Sequence, residues 1–339
     1  MKILIPIYTG LGNAILIIPV IRTIKKVYPD AIIDLIGDNK YSANEIFQND
    51  LDINNIFIDF PEEKYNILIF LKFGGSLKVI FKNIFKLKNT KIILQKNINK
   101  YCSKKELFIY FIFNFILKIK FINIQNRHES YNNLLTLKYL GVNEKDFVLN
   151  PLLSEQVIQK GILSSQRFNL SDNYIVLCPE VADGNKTPKV WEETYWIALI
   201  NLLKKYQIVI LGKQDNRLLS ELNNINIVNL ISKTKIIDLI GILNKSKLVV
   251  GLDSGITHLS SAMNLATLVL FWGTSFDKTR QIGTYTKFLL PNISCSPCSS
   301  PYGLKSEREA YDTCSYRLKC TKILGPQRVF KEIKNILEG

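Results

Sequence analysis

At 339 residues, with 47% hydrophobic and 11% aromatic side chains, the chain carries enough apolar surface for one large core or two of ordinary domain size, which excludes a disordered or low-complexity protein. Its formal net charge of +15 is concentrated, because between Lys72 and Lys120 twelve lysines stand against one acid, Glu106. A local basic patch of that kind attracts polyanions: nucleic acid, an anionic membrane face or a phosphorylated substrate.

The opening "MKILIPIYTGLG" has an apolar run too short for a secretory signal and no small-residue cleavage site, so it reads as a first β-strand. Further strands are predicted at "AIIDLIG", "NIFIDF", "NILIFL" and "KIILQ", with amphipathic helices between them. The most hydrophobic window, "LFIYFIFNFILKIKF" (107–121), meets a lysine after eleven apolar or amide residues, short of the roughly 20 that span a bilayer. Flanked by Lys104, Lys105, Lys118 and Lys120, it suits either a buried core helix with solvated ends or a helix lying in a headgroup layer. A second series starts near Tyr174. It runs strand "YIVLC", helix about "EETYWIALINLLKKY", strand "QIVILG", helix "NRLLSEL", strand "INIVNL", helix "KIIDLIGILNKS", strand "KLVVGLD", helix "GITHLSSAMN" and strand "TLVLF". This alternation predicts an α/β fold of two doubly wound, Rossmann-like domains, joined in the polar, turn-rich stretch near residues 150–172.

Two glycine-bearing turns stand at the carboxyl ends of predicted strands, where open α/β sheets place ligands. In the first, "YTGLGNA", Thr9, Gly10 and Gly12 leave room for close backbone approach and Asn13 is placed to cap a helix beginning at Ala14. A tight turn with no ligand fits as well, since the third glycine of a dinucleotide fingerprint is absent. In the second, "GLDSGITHLSSA" (251–262), a helix starting near Gly255 would aim the N–H groups of Gly255, Ile256 and Thr257 and its positive dipole end at an anion. Asp253 could accept hydrogen bonds from sugar hydroxyls, Ser254 could donate to a phosphate oxygen, and His258 lies one turn in. Read alone, the same residues also suit a plain helix cap and a satisfied, half-buried histidine.

Cys295, Cys298, Cys314 and Cys320 form C-x2-C-x15-C-x5-C in a polar loop, apart from Cys102 and Cys178. Four thiolates at this spacing suit a tetrahedral zinc or iron site, structural because no coordination position stays open. The alternatives are thiols in a reducing compartment or disulfides in an oxidising one.

In this order, "KILIPIYTGLGNAILIIPVIRTIKKVYPDAIIDLIG", "RHESYNNLLTLKYLGV", "LCPEVADGNKTPKVWEETYWIALINLL" and "KTKIIDLIGILNKSKLVVGLDSGITHLSSAMNLATLVLFWGTS" resemble glycosyltransferase family 9, the ADP-heptose:lipopolysaccharide heptosyltransferases and their relatives. The resemblance covers nearly the whole chain and is most specific in its last block. It implies an α/β fold of GT-B type, two doubly wound Rossmann-like domains facing a cleft. Residues 1–160 would be the acceptor domain with the basic, membrane-facing patch, residues 161–323 the nucleotide-sugar domain with the Cys-rich loop 295–320, and residues 324–339 a helix crossing back.

The resemblance further implies an inverting transfer of a sugar, heptose favoured, from a nucleotide-diphosphate donor such as ADP-heptose to a lipopolysaccharide core or other phosphorylated glycolipid or glycan. Asp253, Ser254, Gly255, Thr257 and His258 would hold the donor and Lys189 would neutralise the leaving diphosphate, so no catalytic cofactor is needed. Trp272 and Lys213 are expected near the nucleotide. The family's first turn carries an aspartate, taken as the base, where this chain has Asn13; an amide takes no proton at neutral pH. Asp183 is a substitute base, with Asn13 orienting the acceptor hydroxyl, unless the acceptor chemistry has changed or activity is lost. A subgroup that glycosylates autotransporter proteins resembles this chain in binding iron through four cysteines. The expected location is the cytoplasm, peripheral on the inner face of its membrane. A GT-B nucleotide-sugar epimerase shares the architecture but needs a carboxylate pair that is not evident, and a nucleic-acid-binding protein would need a base-reading motif that the lysine stretch lacks.

Overall fold

The computed structural model describes residues 1–37, 43–71, 79–80, 82–83, 85–87, 89–96, 117, 119–181, 187–213, 226–299, 307–315 and 319–339. The chain divides into two compact units, Met1–Val157 and Ile158–Gly339.

The first unit is built on a six-stranded parallel sheet. Its strands are β1 (Lys2–Pro6), β2 (Ile32–Ile36), β3 (Asn55–Phe57), β4 (Ile67–Phe70), β5 (Lys91–Lys96) and β6 (Lys120–Asn123), in the order β3-β2-β1-β4-β5-β6. Parallel strands covered on both faces need near-continuous apolar runs, and the central ones have them: Ile3, Leu4, Ile5, Leu68 and Ile69 are all fully buried. Helices α1 (Leu11–Ile15) and α2 (Ile18–Val27) follow β1, and α3 (Glu129–Leu135) follows β6. Asp34, buried on β2, is satisfied by the Tyr65 hydroxyl and the Asn54 amide, each at 2.8 Å.

Helix α4 (Glu155–Ser165) contains the division between the units. The second unit repeats the plan with β7 (Ile175–Cys178), α5 (Glu193–Leu202), β8 (Ile208–Ile210), β9 (Ile227–Asn229), α6 (Ile236–Asn244), β10 (Leu248–Leu252), α7 (Gly255–Ala262), β11 (Thr267–Leu270), α8 (Phe276–Thr279) and β12 (Thr286–Leu289). All its strand pairs are parallel and the order is β12-β11-β10-β7-β8-β9. Counted within its own unit, each sheet therefore has the order 3-2-1-4-5-6, whose direction of winding reverses between the first and fourth strands. Helices α9 (Glu307–Asp312), α10 (Lys319–Ile323) and α11 (Pro326–Glu338) complete the chain.

Two expectations are corrected. The window 107–121 does not end as a helix, because Lys120 and Phe121 begin strand β6, and most of the rest of that window lies outside the described residues. Asn13 caps nothing: α1 starts at Leu11 after Gly10, which puts Asn13 inside the helix. The C-terminal helix buries Val329 and Ile333 in the core of the second unit, alongside Trp191, whose indole N–H donates to the Leu324 carbonyl at 3.0 Å. Strand β12 was not anticipated, being a half-exposed edge strand interrupted by Lys287.

Candidate donor site

Strand β10 is buried at all five positions and delivers Asp253 to the carboxyl end of the second sheet, beside β7, at the point where the winding reverses. Its last glycine is required there. A Cβ on Gly251 would lie 2.7 Å from Thr257 Cγ2 and 2.9 Å from Cys178 Cβ, so only a bare backbone lets α7 settle on the strand.

Four segments meet at Asp253. The Thr274 hydroxyl, beyond β11, donates to Oδ2 at 2.6 Å, and the Lys189 ammonium, from the loop after β7, stands 3.3 Å from the same oxygen. The Gln281 amide, beyond α8, donates to Oδ1 at 3.2 Å, with His258 Nε2 3.7 Å from that oxygen. An ionised carboxylate has about four lone-pair sites; Thr274 and Gln281 fill two by hydrogen bonds, Lys189 approaches a third as an ion pair, and His258 stands farther off. Burial works to raise the Asp253 pKa, but the Lys189 charge, then His258 and the Thr274 hydroxyl, outweigh it and hold the carboxyl well below the usual range. Asp253 is therefore a fixed anion, only 8% exposed, that organises Lys189 and His258.

The Thr257 side chain is equally committed. Its hydroxyl is 2.8 Å from the Leu252 carbonyl and 2.9 Å from that of Ser254, and accepts from Gln281 Nε2 at 3.0 Å and from the Ser254 N–H at 3.3 Å. What the turn offers outward is different: Ser254, Gly255 and Ile256 are half-buried, and the first N–H groups of α7 have no carbonyl in their own helix to bond. Two buried oxygens, Ser254 Oγ and Gln281 Oε1, have no hydrogen-bond partner among the described residues. The site thus presents helix N–H groups, one serine hydroxyl and one ammonium above an internally neutralised base, an arrangement suited to an anionic, hydroxyl-bearing ligand.

The structure accordingly brings Lys189, Asp253, Ser254, Gly255, Thr257 and His258 together. Thr274 and Gln281 were not anticipated, nor was Glu180, which follows β7 and accepts the Lys213 N–H at 2.7 Å. Lys213 stands just past β8, on the same rim of the sheet as Glu180. Trp272 is a core residue, 2% exposed, whose indole N–H donates to the Pro188 carbonyl. Asp183 lies outside the described residues.

In the first unit, Asn13 Nδ2 donates to Thr9 Oγ1 at 2.8 Å, and a Cβ on Gly10 would meet nothing within 4 Å. Gly12 lies in the first turn of α1. The turn after β1 is thus a polar pair beside open space.

Cys295, Cys298, Cys314 and Cys320 are reduced thiols lining one cavity of about 260 Å³ with Pro188 and Trp272. Burial, then the nearness of Cys314 and Cys295, raises the Cys298 thiol pKa; burial, with the other three cysteines beside it, pushes Cys320 up to about 11. Among the described residues no three His, Cys, Asp or Glu side chains are grouped closely enough to hold a metal ion.

Comparison with known proteins adds three findings. The family profile of glycosyltransferase family 9 (heptosyltransferase) matches residues 129–304. Lipooligosaccharide heptosyltransferase 2 of Campylobacter jejuni subsp. jejuni serotype O:2 is 24% identical over 353 aligned positions, covering 100% of this chain and 99% of its own. Among solved structures, the E. coli ADP-heptose LPS heptosyltransferase II superposes with a TM-score of 0.72 at 19% identity, over 99% of this chain and 98% of its own. The iron-containing dodecameric glycosyltransferase TibC from enterotoxigenic E. coli gives 0.62 at 12% identity, over 100% of this chain and 78% of its own.

Proposed function

The chain belongs to glycosyltransferase family 9, and on that premise we propose that it transfers heptose from ADP-heptose to the inner core of a lipopolysaccharide or lipooligosaccharide. The observation that carries this reading is the Lys189–Asp253 pair, 3.3 Å apart beneath the start of α7 at the sheet's winding reversal. The donor diphosphate takes the helix N–H groups, Ser254 Oγ and the Lys189 ammonium. Negative charge that develops on the departing diphosphate meets donors already in place, which is the electrostatic work a metal ion does in other transferases. Asp253 acts chiefly by holding Lys189, whose ammonium stands 3.3 Å from Oδ2. A single displacement at the anomeric carbon inverts it; Asn13 orients the acceptor hydroxyl and Asp183 takes its proton.

Titration calorimetry tests this. The protein is expected to bind ADP more tightly than UDP or GDP, and Lys189→Ala or Asp253→Ala to weaken ADP binding at least tenfold, about 1.4 kcal/mol. Binding of none of the three nucleotides would reduce the turn to a capped helix. Turnover of ADP-heptose to an epimer without acceptor would instead replace transfer by epimerisation.

A structural zinc or iron ion on the four cysteines is supported by their sharing one cavity with none in a disulfide, although as placed their thiols are not grouped closely enough to hold it. Bound, such an ion would fix the loop, with no coordination position left for catalysis. The likeness to iron-containing TibC supports the metal reading. We further place the protein on the inner face of the cytoplasmic membrane, where the lysines of 72–120 meet anionic lipid and a phosphorylated acceptor. That stretch lies largely outside the described residues; among those described, no helix is long and apolar enough to cross a membrane.

A further inference from the structure

The crossover between β4 and β5 holds a large apolar side chain out in water, in basic surroundings. Among its described residues Ile80, Asn83, Leu87 and Thr90 are buried, whereas Lys82, Phe85, Lys86 and Asn89 are exposed. Spacings of three and four residues put each set on one face of a helical coil. The inward face is fastened. Ile80 and Leu87 lie in the core of the first unit with Tyr65 and Leu94, the Asn83 amide donates to the Val79 carbonyl at 2.9 Å, and the Thr90 hydroxyl donates to the Tyr65 carbonyl at 2.9 Å. The Leu87 and Thr90 N–H groups donate to the Asn83 and Leu87 carbonyls at 3.1 and 3.0 Å. With its backbone fixed from below, Phe85 stands 94% exposed, more than any other large apolar side chain among the described residues.

The charge around the ring selects its partner. Lys82 and Lys86 share its face; Glu62 meets Lys86 at 2.6 Å, but from Lys72 to Lys120 the chain sets twelve lysines against one acid. A protein partner is poorly matched, because the core of such interfaces is depleted of charge. A single-stranded nucleic acid stacks successive bases on successive rings, and this face offers one ring among the described residues. An anionic leaflet matches both parts, with headgroups for the ammonium groups and an acyl boundary for the phenyl ring. We propose that Phe85 inserts into an anionic lipid surface while Lys82 and Lys86 hold its headgroups. This deepens the membrane reading above and rests on it. One ring does not anchor a protein by itself, so the lysines bring the chain to the bilayer and the ring strengthens its hold. The coil ends at Thr90, next to the first residue of β5 and thus at the amino edge of the sheet. Lipid contact there leaves the carboxyl edge, with Thr9 and Asn13, open to an acceptor.

Full-length Phe85→Trp would be mixed at low salt with vesicles of phosphatidylglycerol, of phosphatidylcholine, and of phosphatidylglycerol brominated along its acyl chains. The parent's own Trp191, Trp196 and Trp272 are buried, so the parent supplies the background. The emission of Phe85→Trp is expected to shift to the blue on phosphatidylglycerol and to be quenched by the brominated lipid, with the parent unchanged in both and phosphatidylcholine without effect. Phe85→Ser should lower the partition onto phosphatidylglycerol vesicles about tenfold, the low end of what burial of a phenyl ring gives, and Phe85→Leu should keep most of it. Neither should alter the unfolding midpoint or ADP affinity, because the ring is exposed and lies outside the unit that holds the donor. Sedimentation with phosphatidylglycerol but no blue shift and no quenching overturns insertion and leaves a contact of charge alone. Failure to sediment at low salt overturns insertion and the membrane reading together. A Phe85→Trp signal that responds to single-stranded polyuridylate and not to vesicles overturns the proposal in favour of nucleic acid.

Discussion

Gln281 gives one amide nitrogen to two acceptors, Asp253 Oδ1 and Thr257 Oγ1, and its own buried carbonyl oxygen has no partner among the described residues. A hydrogen bond to a charged group contributes about 1.5–3 kcal/mol, and an orphaned buried acceptor costs about 1–3 kcal/mol. Gln281→Leu removes the orphan but leaves the buried Asp253 carboxylate short of a donor, so it is expected to lower global stability by about 1–3 kcal/mol. It should also change function, since Lys189 and His258 lose the geometry that donor imposes. We expect ADP affinity in calorimetry to fall about tenfold, near 1.4 kcal/mol, under conditions where the variant is still folded; unchanged affinity would remove Gln281 from the site. Its absence from the sequence reading has a plain cause. Asp253, Ser254, Gly255, Thr257 and His258 are contiguous and sit where a strand gives way to a helix, so spacing exposes them. Thr274 and Gln281 arrive 21 and 28 residues later, and only the fold connects them to Asp253. The committed hydrogen bonds of Asp253 and Thr257 were likewise invisible, because a sequence shows that a carboxylate can accept but not what it already accepts.

The contact between β10 and α7 sets the height of the helix N-terminus over the sheet, and Gly251 fixes it. An alanine there would place its Cβ 2.7 Å from Thr257 Cγ2, which α7 can relieve only by lifting off the strand. Overpacking of this kind costs about 1–3 kcal/mol, so Gly251→Ala should lower the urea midpoint and weaken ADP binding together, where a core defect remote from the site would lower only the first. An unshifted midpoint would mean that the helix is not held by this glycine. Elements of this type were legible wherever strands are buried on both faces: "LVVGL", "IVLC" and "TLVL" have no polar interruption, and each is a strand. The strands that escaped are edges. β6 was absorbed into the apolar window before it, and β12 exposes Lys287 midway along its four residues. Helix starts were legible where a cap residue marks them, as at Ser254. At Asn13 the capping residue type was present, but helix α1 begins two residues earlier and the amide turns to Thr9 instead.

Each unit alone is a doubly wound sheet of the same strand order, so architecture does not say which should hold a nucleotide. The distinction lies in what each sheet puts at its carboxyl edge. Among the described residues, the second supplies an ammonium, a buried carboxylate and an eight-residue helix starting above them, while the first supplies the neutral Thr9–Asn13 pair. Charge is divided as unevenly, since twelve of the 44 lysines and arginines fall as lysines in residues 72–120 against a single acid. Each lysine held near an anionic membrane contributes about 1 kcal/mol, so a few of these acting together suffice for binding. Such attraction is screened as the Debye length falls from about 10 Å at 0.1 M salt to about 3 Å at 1 M. The full-length protein is therefore expected to co-sediment with phosphatidylglycerol vesicles at low salt, to be released at about 1 M salt, and to ignore phosphatidylcholine vesicles. Lys104→Gln with Lys105→Gln should weaken sedimentation without altering ADP affinity, because neither lysine belongs to the unit that holds the donor. Sedimentation that persists at high salt would move the cause from charge to apolar insertion by the window 107–121. Failure to sediment at low salt would mean that these lysines serve only to keep an apolar domain in solution, and that the enzyme reaches its lipid-linked acceptor by another surface.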